Sequence, residues 1–79
     1  MRREKGESGS PPGRLQAELE RTLRELTAAC ELERSALERH RREKTPESEA
    51  AYLWRRREAD RLRERHRRLL EELARLEGR

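Results

Sequence analysis

Two apolar stripes of helical period run along this chain, one on each side of a single break. On the first side the apolar positions are Leu19, Leu23, Leu26, Cys30 and Leu37. Their spacings of four, three, four and seven place them on the a and d positions of one heptad frame, with Glu33 and His40 filling the remaining d positions. Leu15, Ala29 and Ala36 widen this stripe along one flank, and Leu32 lies off it. On the second side Tyr52, Ala59, Leu62, His66, Leu69, Leu73 and Leu76 form another a/d stripe, with Arg55 at a d position and Leu70 beside it. Leu53 and Trp54, adjacent in sequence, fall outside this stripe.

The break is Lys44-Thr45-Pro46-Glu47. Pro46 disfavours helical geometry at Thr45, so a first helix should stop near Lys44. Thr45 has the hydroxyl of an N-cap, and Pro46 suits the first position of a new helix, where its missing N–H costs nothing. Glu47 and Glu49 put negative charge at the positive end of that helix, and Arg39, Arg41, Arg42 and Lys44 put positive charge at the negative end of the one before. The pattern predicts helix one over 14–44, a turn at about 45–46 and helix two over 46–77, with Gly78 available to end it. Residues 1–13 are polar and broken by Gly6, Gly9, Pro11, Pro12 and Gly13, the composition of a disordered tail.

The fold expected is therefore all-α: two long amphipathic helices in an antiparallel, coiled-coil-like hairpin that self-associates. The alternative is one long kinked helix in an oligomer, because proline can bend a helix without ending it. Folding the chain back about Pro46 gives the layers Leu19/Leu73, Leu23/Leu69, Leu26/His66, Cys30/Leu62, Glu33/Ala59, Leu37/Arg55 and His40/Tyr52. Each joins an a to a d position, as antiparallel helices require. The layers near the turn are polar, and Glu33 and Arg55 are placed to form an ion pair across it.

Composition limits how far such a hairpin can support itself. The chain has 79 residues, of which 48% are charged, and it lacks Phe, Val and Ile. Its apolar residues are mainly 12 Leu and 8 Ala. Two helices of this kind do not enclose a core, and burial at this size usually leaves stability near zero after conformational entropy. Either the fold is marginal alone or another chain completes it. The residues assigned to that association core are Leu19, Leu23, Leu26, Cys30 and Leu37 from helix one and Leu62, Leu69, Leu73 and Leu76 from helix two. Leu53 and Trp54 are the candidate anchor for a partner, since exposed aromatic and Leu side chains together often fill a partner's pocket. The competing assignment for Trp54 is a cover over the turn.

Charge adds a second candidate. Net charge is +4, with 19 Arg against 2 Lys. From Arg55 to Arg68 there are eight Arg against three acids, while Arg14 to Glu38 holds four Arg against six Glu. The economical explanation is attraction between an acidic helix one and a basic stretch of helix two. The functional alternative is a small nucleic-acid-binding protein that contacts phosphate through Arg55, Arg56, Arg57, Arg61, Arg65 and Arg68. Many acids recur one helical turn from an Arg, as in Glu64–Arg68 and Glu71–Arg75, so most of these charges are expected to pair on the surface.

No arrangement for catalysis is visible, and no cofactor or metal is expected: His40 and His66 stand 26 positions apart without a Cys or carboxylate cluster at ligand spacing. A single Cys excludes an intrachain disulfide. There is no apolar run of membrane-spanning length and no signal-peptide core. The expected protein is non-enzymatic and intracellular, cytoplasmic or nuclear, with no membrane or small-molecule substrate. It is a small adaptor or assembly subunit whose partner is itself or another helical protein. Heptads rich in Glu and Arg are too common to carry a family resemblance.

Overall fold

The computed structural model describes residues 11–78. The expected tail over 1–13 therefore lies mostly outside the described residues. Its last three positions are helical: α1 runs Pro11–Glu43, and α2 runs Pro46–Glu77. The early start is compatible with two prolines, because the first turn of a helix needs no N–H donor from either. The two helices lie against each other as a helical hairpin, with extents of 57 × 28 × 13 Å.

The turn is the short link expected, made by Lys44 and Thr45. Lys44 takes the left-handed conformation usually left to glycine, at φ 52, and its N–H donates to the His40 carbonyl at 2.7 Å. Thr45 then turns extended and caps α2, its Oγ1 accepting from the Ser48 N–H at 3.0 Å. Ser48 returns the favour to the Thr45 N–H through Oγ at 3.1 Å, which makes a full capping box. The same Ser48 Oγ lies 2.9 Å from His40 Nδ1 and so ties the end of α1 to the start of α2. Left-handed geometry at a residue with a Cβ costs about 1–2 kcal/mol. Lys44→Gly should recover part of this, about 0.5–1 kcal/mol after the added freedom of the unfolded chain, read as a rise in thermal midpoint. A lower midpoint would mean that the Lys44 side chain matters more than its backbone. At the other end Gly78 stays right-handed, at φ −74, with its N–H on the Ala74 carbonyl at 2.8 Å. The left-handed glycine cap expected there is not formed.

The interface between the helices follows from this turn. Moving outward from the His40–Ser48 contact in heptad steps brings Ala36 level with Tyr52, Glu33 with Arg55, Ala29 with Ala59 and Leu26 with Leu62. Next come Thr22 with His66, Leu19 with Leu69 and Leu15 with Leu73. Burial agrees with this register: Ser48 and Ala59 are 0% exposed, Thr22 1% and Leu69 8%. The a/d frame expected for helix two is the one observed. That of helix one is displaced by one flank. Its seam runs through Leu15, Leu19, Thr22, Leu26, Ala29, Glu33, Ala36 and His40, and Leu23 is left 49% exposed.

The layers that paired Leu19 with Leu73 and Leu23 with Leu69 are thus corrected. The chain reverses at Lys44, not at Pro46, and a fold point two residues earlier shifts every partner by four. The Glu33–Arg55 ion pair is corrected too. Glu33 pairs with Arg63, at 3.4 Å, and the Arg55 guanidinium lies over the Trp54 ring, 4.8 Å from its centroid.

Candidate partner-binding surface

Each of the two broad sides of the hairpin carries one flank of the seam. On one side lie Leu23, Cys30 and Leu37 of α1, with Leu70 of α2 at the equivalent flank position. Leu23 and Leu70 are exposed, and Cys30 and Leu37 half-buried. Arg63 crosses this side. Its Nη2 lies 3.5 Å from Cys30 Sγ and 3.4 Å from Glu33, and its Nη1 holds Asp60. The guanidinium therefore spans the space between the helices.

On the opposite side the crossing pair lies toward the open end, where Arg65 reaches Glu18 at 4.0 Å. Ala28, Ala29, Leu32, Trp54, Arg55, Glu25 and Glu58 line an open groove of about 300 Å³ between the helices. It exists because Ala28 and Ala29 are short where their neighbours are long. Leu32 is 46% exposed and Trp54 51%. Trp54 is therefore a wall of this groove and not a cover over the turn. A second groove, of about 580 Å³, lies at the open end of the hairpin beside Leu15 and Leu76, with Arg14, Arg21, Glu18 and Glu72 around it.

The residues assigned from the sequence to an association core divide by exposure. Leu69 is buried, and Leu19, Leu26, Cys30, Leu37, Leu62 and Leu73 are half-buried. Leu23 is exposed on the flank, and Leu76 is exposed at the open end of the seam. Leu53, the other half of the candidate anchor, is 44% exposed and does not line the groove beside Trp54. Thr22, Ser48 and the small residues Ala29, Ala36 and Ala59 matter more to the interface than the sequence suggested. The available signal in α1 was the seven-residue spacing of Thr22, Ala29 and Ala36, which alternates with Leu19, Leu26 and Glu33.

The arginines of α2 are largely occupied by carboxylates. Arg61 pairs with Glu58 at 3.0 Å, Arg68 with Glu64 at 3.2 Å, and Arg65 reaches across to Glu18 at 4.0 Å. Arg67 holds both Glu64 and Glu71, so Glu71 is taken from its expected partner Arg75. The hydrogen bond from Arg67 keeps the Glu64 carboxyl below the ordinary carboxylate range. Arg55 is spent on Trp54; Arg56 and Arg57 are exposed and without an ion pair among the described residues. Such exposed pairs contribute little stability each, but they lower the positive potential available to a phosphate chain.

Among the described residues His40 and Ser48 are the pair that resembles a reactive dyad. Ser48 is closed off from solvent, and its Oγ also lies within hydrogen-bond distance of the Thr45 amide, hydroxyl and carbonyl. The contact is a structural tie. Among the described residues no group of three or more His, Cys, Asp or Glu is placed to hold a metal, and no helix is long and apolar enough to cross a membrane. No family model, curated protein or solved structure matches the chain.

Proposed function

We propose that this protein is a non-enzymatic helical-hairpin interaction module, which self-associates or supplies two helices to a bundle completed by another helical protein. The observation that carries this reading is the imbalance between core and surface. Among the described residues only Ala59 and Leu69 are buried apolar side chains, while Leu23, Leu32, Leu53, Trp54, Leu70 and Leu76 are each 40–51% exposed. A two-helix core of that size stands at the margin of stability. Additional apolar surface lies on both broad sides, as in bundle helices whose apolar stripe is wider than a two-stranded seam. The phosphate-binding reading has less support, since Arg61, Arg65 and Arg68 already serve Glu58, Glu64 and Glu18.

The test is a concentration series followed by light scattering and by thermal melting of the helical signal. Association coupled to folding makes both the mass and the midpoint rise with chain concentration. A compact monomer with a high, concentration-independent midpoint would remove the reason for a partner. Binding of duplex DNA that weakens steeply with salt would instead favour the arginines as the functional surface.

A further inference from the structure

We infer that the Trp54 groove is the seat of a second copy of this chain, in a twofold antiparallel four-helix bundle where Trp54 of each copy packs against Leu32 of the other. The inference rests on the interaction-module reading and supplies its partner and its face.

Choosing between the two broad sides comes first. The side bearing Leu23 and Leu70 has Arg63 lying over the space between its helices, within reach of Cys30 and Glu33. On the Trp54 side Arg65 reaches Glu18 at 4.0 Å in the half toward the open end, and between that pair and the turn lies a groove of about 300 Å³ walled by Leu32 and Trp54. A tryptophan half exposed beside a groove floored by alanines is the kind of feature that anchors interfaces. The broad side of the hairpin, within extents of 57 × 28 Å, is large enough for the roughly 800 Å² per partner of a specific interface.

Complementarity then selects the occupant. Take a twofold axis parallel to the helices. It sets α1 of one copy over α2 of the other, antiparallel, and preserves every level along the bundle. Leu32 and Trp54 stand level within one chain, so each meets the other across the axis. On the same side Glu25 stands level with Arg61, and Arg42 with Glu47. Across the axis these become two pairs of opposite charge, each made twice by symmetry. The like-charged meetings fall toward the open end: Arg21 with Arg68 and Arg65, and Arg14 with Arg75; Glu64 already holds Arg68 at 3.2 Å and Glu18 lies 4.0 Å from Arg65. A face that carries both halves of each pair at matching levels is complementary to itself. All neighbouring helices in the resulting bundle run antiparallel, the arrangement favoured by the helix dipoles.

The test uses the full chain and a charge exchange. Glu25→Arg and Arg61→Glu each turn two attractive contacts per dimer into repulsive ones. Each variant alone should raise the dimer dissociation constant about tenfold or more in sedimentation equilibrium. An equimolar mixture of the two restores opposite charges at every contact, so it should recover wild-type affinity as a heterodimer. Trp54 is the only tryptophan. Its emission should move to shorter wavelength as the wild-type chain dimerises, and the shift should vanish in Leu32→Glu. Dimers that survive these changes, that are broken by Leu23→Glu and Leu70→Glu instead, or that are not rescued by mixing would overturn the face while leaving self-association intact. A wild-type chain that is monomeric and poorly helical alone would overturn the second copy and leave a different helical partner. A monomer that is fully helical and stable at every concentration would overturn both.

Discussion

Leu69→Ala should cost the hairpin about 2–4 kcal/mol, whereas the same truncation at Leu23 should cost under about 0.5 kcal/mol. Leu69 is 8% exposed and stands level with Leu19 in the seam. Removing its side chain takes away most of the apolar area in that layer and leaves a space that two helices alone do not close. Leu23 lies outside the seam at 49% exposure and has little burial to lose. Leu73, half-buried, should fall between them. The comparison is a test of register as much as of stability. With the reversal at Pro46, Leu23 and Leu69 would share one layer and their truncations would cost alike. Urea denaturation of the three variants at one chain concentration distinguishes the registers, and equal losses at Leu23 and Leu69 would overturn the one described here. Total stability near the low end for small domains makes a loss of this size visible as an unfolded chain at room temperature.

That comparison also marks where the sequence was legible. The Thr45-Pro46 start signal and the basic last turn His40-Arg41-Arg42 located the reversal within two residues, because capping chemistry is local and specific. The frame of α2 was equally plain, since Leu62, Leu69 and Leu73 have no competing flank. In α1 two frames share the row Leu19, Leu26, Glu33 and His40. One adds Leu23, Cys30 and Leu37, and the other adds Leu15, Thr22, Ala29 and Ala36. Summed hydrophobicity favours the first. The helices adopt the second because the turn dictates the register, and the register brings Ala29 opposite Ala59 and Thr22 opposite His66. The turn itself was hidden by Lys44, which occupies a conformation that sequence reading assigns to glycine. Ser48 was hidden because a capping box is ordinarily sought as Glu or Gln at the third helical position. The groove was legible only as the isolated pair Leu53 and Trp54. Its floor of Ala28 and Ala29, on the other helix, depends on a register that no local pattern supplies.

Ala59→Leu should destabilise the hairpin by about 1–3 kcal/mol even though it adds apolar surface. Ala59 is 0% exposed and lies level with Ala29, a layer in which neither side chain extends beyond a methyl group and which therefore suits a close approach of the helices. Helix separation in such contacts is set by the side chains between them, within about 8–10 Å. A leucine at Ala59 must either leave its rotamer wells or push the helices apart, and separation would loosen the adjacent layers Leu26/Leu62 and Glu33/Arg55 together. Ala50→Leu is the control: Ala50 is exposed on α2, and leucine is nearly as good a helix former as alanine, so its change should stay within about 0.5 kcal/mol. The two variants have the same composition, which removes any difference in unfolded-state hydrophobicity from the comparison. Thermal melts at equal chain concentration provide the readout. If Ala59→Leu proved as stable as Ala50→Leu, the close approach at Ala29 and Ala59 would be wrong. The consequence would reach function, because Ala29 is also the floor of the Trp54 groove. Helices forced apart at this layer change the groove's width without touching any of the charges around it. Ala59→Leu should therefore weaken self-association as well as folding, while Ala50→Leu, on the outer surface of α2, should leave both unchanged.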